Sequence, residues 1–163
     1  MLYYINVVVH VLAAVIWLGG LFFFALVGAP VLRRIEPSAL RASLFQQLGE
    51  RFRTVGWSAI ALLLVTGVIN LHFRGVLDRD FVNAAFWSTR FGHILGVKLV
   101  AILAMLVLQV FHDFHLGPAA GRASAGSEEA IRLRRRAALV ARFSALLGLL
   151  ILVAAVFLVR TWA

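Results

Sequence analysis

The stretch YYINVVVHVLAAVIWLGGLFFFALVG, residues Tyr3–Gly28, decides the fold of this chain. It contains no Asp, Glu, Lys or Arg. The hydrocarbon core of a bilayer is about 30 Å thick and needs about 20 predominantly apolar residues in a helix. Because lipid offers no hydrogen-bond partner to the backbone, such a run crosses a bilayer as an α-helix. The stretch therefore predicts a membrane-spanning helix with one histidine, His10, inside it.

Three further apolar runs of similar length follow, and 63% of the 163 residues are hydrophobic. They lie at residues 55–73, 93–111 and 139–159. Together with the first run, at residues 3–28, they predict an all-α fold: an integral membrane four-helix antiparallel bundle in which residues 1–163 form a single domain. Pro30 and Gly117-Pro118 are expected to end the first and third helices. Pro37-Ser38 is expected to begin a short amphipathic helix along the inner membrane surface.

Basic residues are concentrated in the first and third connections. The chain has 16 Lys and Arg against 7 Asp and Glu, a formal charge of +9. Since basic loops stay on the cytoplasmic side, both termini are expected to face outward, on the periplasmic side of a bacterial inner membrane. The tract Arg132–Arg136 indicates contact with anionic lipid headgroups. It lacks the neighbouring aromatic residues that single-stranded nucleic acid would stack on, so nucleic acid is not an expected partner.

Three histidines lie near the same predicted end of the bundle: His10, His72 and His93. Antiparallel threading would bring them to one side of the membrane although they are distant in sequence. An imidazole inside a bilayer needs a partner for its ring nitrogens, which lipid does not supply. The sequence therefore predicts a site toward the outer leaflet in which at least two of them hold a ligand. The alternative is that each histidine is satisfied separately by a neighbouring hydroxyl or carbonyl group.

Two further features bear on a binding site. Lys98 lies deep in the third run, where it must reach toward the surface, pair with a carboxylate or contact an anionic ligand. His112, Asp113 and His115 form a second group near the inner end of that run. The two histidines are three residues apart, so they could share a helix face and bind a metal. The alternative for this pair is that both are hydrated polar residues at the end of the helix.

Haem b and copper are the two candidate ligands. Haem b suits axial imidazoles from two helices of an apolar bundle, and Arg74 and Arg90 could pair with its propionates. Copper(I) prefers cysteine and methionine sulfur, whereas this chain has no cysteine and Met105 is the methionine within a predicted span. An all-histidine copper site is still possible. From the residues alone, haem b is therefore the leading prediction.

Three functions remain open. The first is a membrane oxidoreductase or electron-transfer protein that passes electrons between haem b and a quinone or a periplasmic redox partner. The second is a copper uptake or tolerance protein that uses the same histidines, with Met105 and Lys98 along a deeper path and a periplasmic copper protein as partner. The third is a structural subunit of a larger membrane complex. No hydrolase or nucleotide-binding motif is present, so no catalytic residue is predicted, and the oligomeric state stays open.

Motifs along nearly the whole chain resemble those of the copper-resistance D (CopD) family of bacterial membrane proteins. The similar positions are His10…Trp17-Leu18-Gly19-Gly20, Ala29-Pro30, Phe52-Arg53…Gly56-Trp57…Thr66-Gly67…Asn70, Lys98-Leu99, His112-Asp113-Phe114 and Leu116-Gly117-Pro118. The resemblance implies an inner-membrane protein linked to copper uptake or tolerance.

A fainter resemblance runs to HemJ, the membrane protoporphyrinogen oxidase. That family is similar in having four helices, a histidine seven residues before a tryptophan in the first helix, and a lysine followed by a histidine in the third. The corresponding positions are His10, Trp17, Gly20, Lys98 and His112. The spacing from Lys98 to His112 is longer than in that family, so the enzyme activity is not carried over. The resemblance implies that His10 belongs to a tetrapyrrole pocket.

Overall fold

Four long helices form the molecule. The computed structural model describes residues 1–124 and 126–161, and all regular structure in that part of the chain is helical. The four helices long and apolar enough to cross a membrane are called span 1 (Leu2–Leu32), span 2 (Ser38–Phe73), span 3 (Arg90–Arg122) and span 4 (Glu128–Arg160). The predicted all-α four-span bundle is confirmed.

Two of the spans are composite. Span 1 consists of α1 (Leu2–Phe23), a π-helical segment (Phe24–Gly28) and α2 (Ala29–Leu32), and span 2 is α3 (Ser38–Phe73). Between spans 2 and 3 lie α4 (Asp78–Phe81) and α5 (Ala84–Trp87). Span 3 consists of α6 (Arg90–Phe111), a second π-helical segment (His112–Leu116) and α7 (Gly117–Arg122), and span 4 is α8 (Glu128–Arg160).

Neighbouring spans run antiparallel, with span 1 packed mainly on span 2 and span 3 on span 4. The ring of Tyr3 meets that of Phe73, and the Arg74 guanidinium donates to the carbonyl of Leu158 at 3.1 Å. The start of span 1 and the end of span 4 therefore lie at one end of the bundle, called here the terminus end; the opposite end is the far end. Which membrane face each end occupies remains the prediction made from the basic loops.

The centre of the bundle is a small apolar core formed by Trp17, Ala59, Ile60 and Met105, which come from three spans. Glycines admit the neighbouring side chains, as small residues do in membrane helix packing. The Phe52 ring lies directly against Gly20, and the Trp17 ring lies against Gly148. Most other large apolar residues face outward, which is what a helix surrounded by lipid requires.

The expectation that Pro30 and Pro118 end their helices is wrong. Each proline is preceded by a five-residue π-helical segment, and the helix then continues. The amide of Ala29 bonds to the carbonyl of Phe24, and that of Gly117 bonds to that of His112. These wider turns come just before the residue that lacks an amide donor, and local π adjustments of this kind let a membrane helix tolerate proline.

The expected separate surface helix after Pro37 is also wrong, because it is continuous with span 2 as the single helix Ser38–Phe73. Pro37 stands at the N-cap and begins the helix. No proline follows within it, and side-chain bonds one turn apart support its polar first half, including Gln46 to Glu50 at 3.1 Å. A helix of 36 residues is about 54 Å long, so its first part extends beyond the hydrocarbon core.

Candidate functional site

His10 is held by span 2 through a chain of polar contacts at the terminus end. Its Nδ1 lies 2.7 Å from the Thr66 hydroxyl. One turn closer to the terminus, the Asn6 side-chain amide donates to the Asn70 side-chain oxygen at 2.9 Å and to the Thr66 carbonyl at 3.0 Å. The Thr66 and Asn70 positions are one helical turn apart on span 2, as Asn6 and His10 are on span 1, so the two antiparallel helices present matched polar faces.

The hydrogen-bond network assigns the tautomer of His10. The Thr66 hydroxyl lies 2.6 Å from the carbonyl oxygen of Leu62, which can only accept. The one hydroxyl proton is therefore used in that bond, and the hydroxyl oxygen accepts from Nδ1 of His10. A neutral imidazole with its proton on Nδ1 carries a lone pair on Nε2. His10 thus offers one nitrogen ligand whose ring orientation is fixed by the neighbouring helix.

Lys98 places a positive charge near enough to His10 to act on it electrostatically. The Lys98 side chain is partly buried and makes no hydrogen bond or ion pair within the described residues. Arg74 is half-buried and bonds to Leu158 of span 4, so it bridges spans 2 and 4 at this end. One of the three possibilities considered for Lys98, an ion pair with a carboxylate, is not found within the described residues.

The other outer residues predicted as ligands lie on the surface of the bundle. His72, His93 and Arg90 are exposed, and His93 lies against span 4 beside Val153. None of the three makes a hydrogen bond with His10. Antiparallel threading does bring His10, His72 and His93 to the terminus end. However, nowhere in residues 1–124 and 126–161 do three His, Cys, Asp or Glu side chains form a group that could hold a metal ion.

The far end contains a second polar cluster, centred on the buried carboxylate of Asp113. One oxygen, Oδ2, accepts from the indole N–H of Trp57 at 2.9 Å and from the amide of Gln109 at 2.8 Å. The other, Oδ1, lies 2.8 Å from Nδ1 of His112. Arg53 of span 2 approaches the backbone carbonyl of Asp113 at 3.4 Å. Asp113 is 8% exposed, so these donors replace the water that its charge has lost.

His112 is oriented in the same way as His10. A carboxylate oxygen accepts from Nδ1–H, which leaves Nε2 as the ligating nitrogen, and carboxylate–histidine pairs of this kind commonly orient metal ligands. His112 is about one-third exposed, so Nε2 can be reached from outside the cluster. His115 is exposed and stacks on the ring of Phe111 at 5.6 Å, so the two histidines predicted as a pair have different partners.

Sequence reasoning placed Asp113 in one group with His112 and His115, but it missed Trp57 and Gln109 as members of this cluster. The indole N–H of Trp57 on span 2 bonds to the carboxylate on span 3. A signal was available: the buried positions Ala101, Met105, Gln109 and Asp113 recur every four residues and mark the interior face of span 3. A carboxylate on such a face requires partners.

Polar atoms also lie in the centre of the bundle between the two ends. The thioether of Met105 is buried in the core beside Trp17. The indole nitrogen of Trp17 and the hydroxyl of Ser144 are buried, and within the described chain neither has a hydrogen-bond partner. Buried polar groups left unpaired by protein are the positions at which ordered water or an ion is expected. The interior is therefore not uniformly apolar between the terminus end and the far end.

Comparison with known proteins identifies relatives of the chain. The profile of the family described as Copper resistance protein D matches residues 46–158, and this confirms the resemblance seen in the motifs. An uncharacterized protein from Aquifex aeolicus is 28% identical over 109 residues, which is 66% of this chain and 66% of that relative. No solved structure matches. The match begins within span 2 and ends within span 4, and it includes Thr66, Lys98, Met105 and Asp113.

Proposed function

This chain belongs to the copper resistance protein D family, an integral, multi-pass membrane family, and on that premise we propose that it binds copper inside the bundle and passes it between the two ends. The observation that carries the proposal is the orientation of His10. Thr66 accepts from Nδ1, so Nε2 keeps its lone pair, and no hydrogen bond within the described residues occupies it. Imidazole nitrogens suit copper, and an oxygen acceptor on the second nitrogen raises the basicity of the ligating one.

The exposed histidines at the terminus end are the proposed points of first contact. His72 and His93 are accessible at the end where His10 is half-buried. An ion captured by an exposed imidazole would lose part of its water there before it reaches the interior ligand. Replacing either one is therefore expected to slow loading more than it weakens the final binding at His10.

The centre and the far end continue the proposed path. Met105 supplies a soft thioether, the ligand type that copper(I) prefers. It is seven residues from Lys98 and seven from His112, about 10.5 Å along the helix in each direction. At the far end, the negative charge of Asp113 favours a cation, and His112 presents Nε2 to it. Copper would thus move from the His10 nitrogen on span 1 to the Met105 sulfur on span 3, and then to the His112 nitrogen farther along span 3.

Replacement of His10 tests the proposal. We compare His10→Ala with His115→Ala, which removes an exposed histidine outside both polar clusters. Copper(I) affinity is measured anaerobically on detergent-purified protein by competition with a chromophoric chelator, together with copper content by elemental analysis. We expect His10→Ala to lose tight copper binding and His115→Ala to keep it. Equal affinity in the His10→Ala and wild-type proteins would refute the proposal.

Haem b bound through His10 is the second candidate, and the charges beside His10 favour it. Lys98 and Arg74 could pair with the two propionates, and the surrounding side chains are largely apolar. His72 and His93, the predicted second axial ligands, are exposed, and within the described residues neither makes a hydrogen bond with His10. His10 would therefore be the first axial ligand in this candidate, with His72 or His93 as the predicted second. Electron transfer with a quinone or a periplasmic partner belongs to this candidate.

The visible spectrum of the purified protein separates these candidates. A Soret band that disappears in His10→Ala, with haem measured as its pyridine haemochrome, would favour haem b. A colourless protein whose copper content depends on His10 would favour copper. Protein that contains neither and co-purifies stably with other membrane subunits would instead favour the structural function.

A further inference from the structure

The ring of His10 lies against two consecutive residues of span 2. Its Nδ1 is 2.7 Å from the Thr66 hydroxyl, and a Cβ atom placed on Gly67 would lie 3.5 Å from its Cε1. Nδ1, Cε1 and Nε2 follow one another around an imidazole ring. One edge of the ring therefore runs along span 2 from Thr66 toward Gly67, and Nε2 is the next atom beyond Cε1.

Gly67 leaves this part of the ring uncovered. Nε2 is one C–N bond from Cε1, so it lies within about 5 Å of the position that a Cβ on residue 67 would take. Within the described residues Nε2 makes no hydrogen bond, and the buried side-chain atoms without a partner are Nε1 of Trp17 and Oγ of Ser144. Since Nε2 is unpaired but is not one of these buried atoms, it can be reached from outside the packed helices.

We propose that the space beside Gly67 is the coordination space of His10, so that an ion bound at Nε2 occupies volume that a larger side chain at residue 67 would fill. This inference rests on the proposed function and names a residue of span 2 that shapes the copper site. A metal–imidazole bond is about 2 Å long and a metal–thiolate bond about 2.3 Å, so an ion on Nε2 and a short side chain at residue 67 can meet. Glycine supplies no ligand atom, so the ion keeps an open coordination position on this side.

A cysteine at residue 67 tests the proposal by adding a ligand. The chain has no cysteine, so Gly67→Cys places a single thiol beside His10, whereas Gly19→Cys places one where no neighbour lies within 4 Å. Thiolate sulfur is a ligand that copper(I) prefers. By anaerobic competition with a chromophoric chelator, we expect Gly67→Cys to bind copper(I) at least about tenfold more tightly than Gly19→Cys, because two ligands held together bind better than either alone. The double variant His10→Ala with Gly67→Cys should lose this gain.

A second measurement needs no copper. Diethyl pyrocarbonate modifies the unprotonated nitrogen of a neutral imidazole, and mass spectrometry of the peptide that contains His10 gives the rate. Gly67→Ala adds a methyl group at ordinary contact distance and should keep most of the wild-type rate. Gly67→Val should slow the modification several-fold, whereas Gly19→Val should not. If Gly67→Val does not fold, Gly67→Cys treated after folding with methyl methanethiosulfonate replaces it, since the side chain is then enlarged in the folded protein.

The outcomes separate this inference from the proposed function. Equal copper(I) affinity in Gly67→Cys and Gly19→Cys, with the same modification rate of His10 in Gly67→Val and wild type, would overturn the inference and leave Gly67 with a role in helix packing alone. Wild type that binds no copper, beside a Gly67→Cys variant that binds it through His10, would instead refute the proposed function and support the assigned geometry.

Discussion

Thr66→Val is the sharpest test of how His10 is positioned. Thr66 is 4% exposed, and valine has nearly the same shape, with a methyl group in place of the hydroxyl. The substitution removes the acceptor that lies 2.7 Å from Nδ1 of His10. The Leu62 carbonyl, which also loses a bond, belongs to a continuous helix whose backbone bonds remain. The main consequence is therefore a half-buried imidazole whose Nδ1–H has no partner and whose ring is free to turn.

The expected size of the effect follows from this loss. A buried donor left without a partner costs about 1–3 kcal/mol, and loss of an outer hydrogen bond to a metal-binding histidine weakens metal affinity about 10–100-fold. Thr66→Val should therefore lower the melting temperature in detergent and weaken copper(I) binding by one to two orders of magnitude. Thr66→Ser keeps the hydroxyl and should therefore retain most of the wild-type melting temperature and copper(I) affinity.

Thr54→Val is the matched control. Thr54 lies on the same helix, is exposed, and bonds to the carbonyl four residues earlier, Glu50, at 3.3 Å. Like Thr66, it donates its hydroxyl proton to the backbone carbonyl four residues earlier, but within the described residues it makes no hydrogen bond with a histidine. The assay is anaerobic competition for copper(I) with a chromophoric chelator, run beside thermal unfolding. Copper affinity that stays within about twofold of wild type in Thr66→Val would refute the assigned role of the Thr66 hydroxyl, since the expected loss is at least about tenfold.

Three further outcomes are expected. Asp113→Asn should destabilise the protein by about 1.5–3 kcal/mol, because it removes the negative charge to which three side chains donate hydrogen bonds. Equal thermal stability of the variant and wild type in detergent would contradict a stabilising role for these hydrogen bonds. Gly20→Val should lower the free energy of unfolding by about 1–3 kcal/mol, because the Phe52 ring occupies the space that the new side chain needs. Gly19→Val should unfold at nearly the wild-type temperature, because no neighbour lies within 4 Å of that position. Similar losses of stability in both variants would argue against this packing. Met105→Leu conserves side-chain volume and should lower the free energy of unfolding by less than about 1.5 kcal/mol. It should nevertheless slow copper movement into proteoliposomes, because it removes the sulfur ligand. An unchanged rate would exclude the thioether from the path.

The four spans were predictable because their cause is local. Each apolar run must satisfy its own backbone in lipid, and a helix is the only single-segment solution. The helix ends were less predictable. Pro30 and Pro118 ordinarily stop a helix, but here π-helical segments precede both, and local sequence does not show whether a chain takes that path. Span 2 was likewise predicted too short, because its polar first half has no apolar run to mark it.

The sites were only partly predictable. His10 was expected to need a partner inside the bundle, and Thr66 is that partner. His72 and His93 lie at the expected end but are exposed, because the rotation of each helix about its own axis decides which face is interior. That rotation depends on packing between spans, which a single sequence does not specify.

By itself, then, the sequence determined four membrane-spanning helices, their antiparallel order and the end at which each histidine lies, since length, hydropathy and alternation of direction fix these along one dimension. Only the tertiary structure decided that His10 meets Thr66 and that Lys98 has no carboxylate partner among the described residues. It also decided that Asp113 accepts hydrogen bonds from Trp57, Gln109 and His112. Those contacts depend on distances between different helices, and such distances are set when glycines and large side chains of neighbouring spans pack together.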